Sequence, residues 1–195
     1  FYLSRDDSGK TGGREWRIYG GHRLWLAPEA IPFSYYPDNE PFPFFIKDNH
    51  ILLDQPAEKT TGTVKQMEIS LSPGKNEVTV LHRIINRSTE SIELSPWALS
   101  AMAPSGRAII PQEPYGAGND YLLPARSLAL WHYTNMNDPR WVWGEKYIQA
   151  KQDPELIAEQ KIGVLNKLGW IAYALGRELM VKKFAFDPTA VYPDF

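Results

Sequence analysis

The sequence predicts an all-β chain, a large antiparallel sandwich with very little helix. Short runs of alternating or apolar residues recur about every ten residues, each closed by a turn signal. The run over 77–86 carries apolar side chains on both faces, with Val78, Val80, His82 and Ile84 on one and Leu81 and Ile85 on the other, the pattern of a strand covered on both sides. Helix-start chemistry is confined to 153–160, where Asp153 is placed as an N-cap and Pro154 at the first helical position.

In chain order, residues 6–13 are polar and glycine-rich and read as a loop. Residues 16–26 alternate into an apolar run broken by Gly20-Gly21, which points to a bulge or a close backbone approach. The segment 27–43 holds five prolines, so it is neither a helix nor a central strand, and reads as a long ordered loop. Strands follow at 51–53, 64–71 and 77–86, with a turn at Ser72-Pro73-Gly74-Lys75-Asn76 and a further run over 91–102 continuing the sheet. Residues 108–111 are apolar, 112–120 read as a polar loop, and 126–133 are the next strand. Residues 168–175 and 178–186 form a hairpin whose Gly176-Arg177 link fits a type II′ turn. The chain begins with Phe1 and stops after a strand-like run, so the expectation is a single sandwich domain, 1–195, cut from a longer polypeptide that holds further strands at both ends.

Bulk chemistry narrows the function classes. The formal net charge is −2 with dispersed Lys and Arg, which disfavours a nucleic-acid or anionic-membrane surface. No apolar run approaches the roughly 20 residues of a membrane span. The chain has no cysteine, hence no thiolate ligand or nucleophile, and its four His lack metal-ligand spacing. No metal and no cofactor is expected. Compartment and oligomeric state are left open.

Several strings resemble one family: Tyr19-Gly20-Gly21-His22-Arg23-Leu24-Trp25, Ala27-Pro28-Glu29, Tyr36-Pro37-Asp38-Asn39, Pro96-Trp97, Ile109-Ile110-Pro111-Gln112, Trp131-His132-Tyr133, Asp138-Pro139-Arg140, Lys161-Ile162-Gly163 and Gly169-Trp170. From about residue 16 onward the chain is similar to a bacterial family, domain of unknown function 4380, of the galactose-mutarotase-like superfamily. The resemblance implies a supersandwich with a sugar cleft on its concave sheet, and a small-molecule carbohydrate as partner. It also implies an aldose 1-epimerase-like isomerase chemistry, in which a His acts as general acid and a Glu as base. The stretch comparable to the family's His string, 95–102, has no His here, so the standard acid is not carried over.

The substrate-binding candidates are His22, Arg23, Trp97, Asp138, Arg140 and Trp170, with His22 the one catalytic candidate. Arg23 and Arg140 offer planar forks of donors for hydroxyl pairs, and the indoles offer flat apolar faces. Arg23, with His22 beside it, is expected to face the cleft, and its truncation to leave folding little affected. The competing reading is an Arg23 paired with Glu29 or Asp38. His82 reads as a satisfied core histidine, His50 as exposed in a turn, and Asp138–Arg140 as either a sugar rim or an internal ion pair. Three functions remain: a sugar-binding domain without standard epimerase catalysis, an active epimerase with a rearranged acid–base pair, and a structural sandwich domain.

Overall fold

A computed structural model describes residues 16–120 and 122–195; the loop expected over 6–13 lies outside them. The described chain is nearly all β and its ladders are antiparallel. One 3-10 turn, Phe33–Tyr35, stands inside the proline-rich segment. No helix among the described residues is long and apolar enough to cross a membrane. The residues fall into two compact units, 16–101 and 102–195.

In the first unit, β1 (His22–Ala27) pairs with β6 (Ser95–Ser100), with Trp25 opposite Trp97. The strands β2 (Phe44–Lys47), β3 (His50–Asp54), β4 (Thr63–Leu71) and β5 (Val78–Asn86) form a four-stranded meander in that order. The run over 91–102 therefore does not continue the meander. The turn after β5 and the loop over 91–94 carry the chain to β1, where an aromatic cross-strand pair rewards the switch. The cover expected on both faces of β5 is partial: Val80, His82 and Ile84 on one face and Ile85 on the other are half-buried, whereas Val78 is 57% and Leu81 48% exposed.

Leu24, Trp25 and Leu26 form the apolar centre of this unit. A buried ion pair accompanies them, Lys65 Nζ lying 2.5 Å from Glu58 Oε1. The proline-rich segment is held by Ser34, which is buried, accepts from the Ala30 N–H at 3.0 Å and donates to the Leu26 carbonyl at 3.1 Å.

The second unit is a five-stranded sheet in the order β13-β12-β7-β10-β9, built from β7 (Arg107–Pro111), β9 (Trp141–Trp143), β10 (Tyr147–Lys151), β12 (Trp170–Leu175) and β13 (Glu178–Lys183). A short pair, β8 (Leu128–Leu130) with β11 (Ile162–Val164), completes it. Ile148 and Ala172 are its most buried apolar side chains. The Gly176-Arg177 hairpin forms as expected, with Leu175 opposite Glu178 and Gly176 at φ 58°. The strand expected over 126–133 shrinks to β8, because Trp131 and Thr134 close a turn.

The helix expected over 153–160 does not form. Asp153 Oδ1 accepts the Glu155 N–H at 3.2 Å, so it caps a turn, but eight residues are marginal for a helix without packing. The carbonyls of Leu156 and Ala158, which a helix would use internally, accept from Arg140 at 3.1 and 2.6 Å instead.

Candidate functional site

Successive side chains on a strand point to opposite faces of its sheet. On β1 this separates the two neighbours that were expected to line one cleft. His22 turns toward the meander: its Nε2 lies 2.8 Å from His82 Nε2, and its Nδ1 lies 2.9 Å from Ser100 Oγ. Arg23 turns the other way, together with Trp25 and its cross-strand partner Trp97. The expectation of His22 beside Arg23 in one site is therefore corrected by the pleat itself.

Arg23 sits in an aromatic frame. Its guanidinium carbon lies 5.4, 5.8 and 5.9 Å from the ring centres of Trp16, Tyr19 and Trp25, within cation–π range. Trp25 packs edge-on against Trp16, Tyr35 and Trp97, each at 5.3 Å between centroids. The Nε1 groups of Trp16 and Trp25 are buried with no acceptor among the described residues. Asn39 donates to the Tyr19 hydroxyl at 3.0 Å.

The charge of Arg23 is met by Asp38, which accepts from Nη2 and, at 3.4 Å, from Nε. Nη1 donates to the Arg17 carbonyl at 2.8 Å. Three of the five guanidinium N–H donors are thus engaged. The two side chains are 15% and 7% exposed. Asp38 holds a positive φ of 34°, a backbone state that non-glycine residues reach at a cost and that clusters at functional positions. Glu29, the other partner weighed for Arg23, accepts from the Tyr35 hydroxyl.

One expectation changes with this geometry. Truncating Arg23 would take from the nearly buried Asp38 carboxylate its ion-pair partner, so a loss of stability is expected.

Asp138 and Arg140 form a bidentate pair in the second unit, Nε to Oδ1 and Nη2 to Oδ2, both at 2.8 Å. The bond from Arg140 is the main cause that lowers the Asp138 carboxyl from 3.8 to about 2. Because Arg140 also binds the carbonyls of Leu156 and Ala158, its fork fastens the loop over 152–160. Trp141 and Gln160 add to this stitching: the indole N–H donates to Gln160 Oε1 at 3.1 Å. Of the two readings weighed for this pair, the internal tie is the one its hydrogen bonds describe. Trp170, on β12, lies 6.1 Å from the Tyr147 ring at 63°. His50 opens β3 and lies 3.9 Å from Glu68.

A cavity of about 450 Å³ is lined by Ala129, Leu130, Trp131, His132 and Asp194 in the second unit, with the Lys161 ammonium 4.1 Å from the centre of the Trp131 ring. No group of metal-ligating side chains occurs among the described residues.

Arg23 and Trp97, both candidates from the sequence, lie on one face of the β1–β6 pair, and Trp16, Trp25 and Tyr19 around Arg23 were not among the candidates. The period-2 spacing of Arg23 and Trp25 was the available signal. No family model, curated protein or solved structure matches the chain.

Proposed function

We propose that this chain is a carbohydrate-binding domain of the mutarotase-like kind, with its sugar site on the Arg23 face of β1. The observation that carries the reading is the Arg23–Asp38 ion pair framed by Trp16, Tyr19 and Trp25. A pyranose needs donors and acceptors for its hydroxyl pairs and an apolar surface for its C–H face. Two guanidinium N–H donors have no acceptor among the described residues, Asp38 supplies carboxylate oxygens, and the rings supply the apolar surface.

The reading is one of binding rather than epimerisation. His22 points away from Arg23, and 95–102 holds no His. Asp138, Arg140 and Trp170 are not required by it.

The test is a screen of immobilised neutral saccharides against the whole chain and its Arg23→Lys variant, which keeps the charge opposite Asp38 and loses the fork. Retention by the parent, weakened by about 1.5–3 kcal/mol in the variant, is the expected result. Absence of retention on every saccharide, or equal retention of both proteins, refutes it.

A further inference from the structure

We propose that two copies of this chain pair through β2, edge to edge, so that the meander continues across a two-fold axis. β2 is an edge strand whose one ladder partner among the described residues is β3. All four of its residues are exposed, Phe44 by 62%, Phe45 by 54% and Ile46 by 70%. Unpaired strand edges recruit another strand, and natural edges usually carry charge or proline against it. Here three consecutive positions are large and apolar, and the single charge, Lys47, closes the strand.

The sequence of β2 fits its own copy. In an antiparallel pair about a two-fold axis normal to the sheet, directly opposed residues share a face. The register centred on Phe45 sets Phe45 against its twin, Phe44 against Ile46 of the second copy, and Lys47 against Pro43. Every apolar side chain meets an apolar one, and no like charges meet. Shifting the centre to Ile46 would set Phe44 against Asp48, so the pairing has a preferred register. The face bearing Phe44 and Ile46 continues through their meander neighbours Leu53 and Ile51, the latter 39% exposed, so the apolar rows run on across the junction. Because each copy uses the same strand once, the assembly closes at two.

The chain has no cysteine, which permits a direct test. Opposed residues hold their Cβ atoms about 4.5–5.5 Å apart, close to the roughly 3.5–4.5 Å of a disulfide. Mild oxidation of Phe45→Cys is expected to give a covalent dimer at least ten times faster than Ser91→Cys, whose thiol would lie in an exposed loop. Light scattering is expected to give a dimer for the parent and a monomer for Phe45→Lys, with unchanged circular dichroism. A monomeric parent, a Phe45→Lys dimer, or equal cross-linking of the two cysteine variants overturns the proposal. A parent monomer that captures an added β2 peptide would reassign the edge to a foreign strand.

Discussion

The Nε2 atoms of His22 and His82 lie 2.8 Å apart, joining β1 to β5 across the two sheets of the first unit. A bond between two ring nitrogens requires one N–H and one lone pair. His22 therefore cannot be read by itself: its tautomer is tied to that of His82, and through Nδ1 to Ser100.

This tie predicts that at neutral pH the two Nε2 nitrogens differ, one protonated and one not. Nitrogen-15 chemical shifts of the two imidazoles measure it directly. Identical shifts for both Nε2 atoms would contradict the hydrogen bond.

For Arg23 and Asp38 the prediction concerns stability. Arg23→Ala should cost about 3–5 kcal/mol in urea unfolding, because a nearly buried carboxylate loses its partner. Arg23→Met combined with Asp38→Leu should cost less than either single change, since no charge is then stranded. Additive losses would show that the pair is not coupled.

The Asp138 carboxyl carries a pH signature. Its value falls from 3.8 in the unfolded chain to about 2 beside Arg140, so the folded state favours the ionised form. The contribution is fully present above the unfolded value and is lost as pH falls from about 4 toward 2. Asp138→Asn should flatten acid unfolding in that window and leave the shape of the curve above pH 5 unchanged. An unaltered acid limb would remove this carboxyl from the account.

Gly106 and Tyr173 form a close contact in the second unit. The tyrosine hydroxyl accepts the Gly106 N–H at 3.0 Å and donates to the Ala103 carbonyl, and a methyl group on Gly106 would overlap the ring. Gly106→Ala should therefore destabilise by roughly 1–3 kcal/mol through overpacking and displaced hydrogen bonds. Tyr173→Phe should cost about 1–2 kcal/mol. A Gly106→Ala variant as stable as the parent in thermal unfolding would show that the ring yields freely.

How much of this was legible in the sequence depends on the range of the interaction. Periodicity and turn chemistry are local, so the strands β3, β4 and β5 and the Gly176-Arg177 hairpin could be read directly, whereas β2 was not singled out. Sheet membership is not local. Nothing within 91–102 says that β6 leaves the meander for β1; that follows from Trp25 meeting Trp97 some seventy residues away. The cap at Asp153 was real, but the chain beyond it was claimed by Arg140, a competitor that a helix-start signal cannot reveal. At the site, alternation along β1 already separated His22 from Arg23. The pairing with Asp38, from a loop with no periodicity, needed the folded structure.

The central claim is that a neutral sugar binds beside Arg23. The most direct measurement is a titration of the whole chain with neutral hexoses, following the indole N–H resonances of Trp16 and Trp25. Both indole N–H groups are buried within the aromatic frame and have no acceptor among the described residues, so a sugar packing against that frame should shift their signals saturably. Arg23→Lys should weaken that saturation. Indole resonances of Trp16 and Trp25 that stay fixed through the titration, while the protein remains folded, would contradict it.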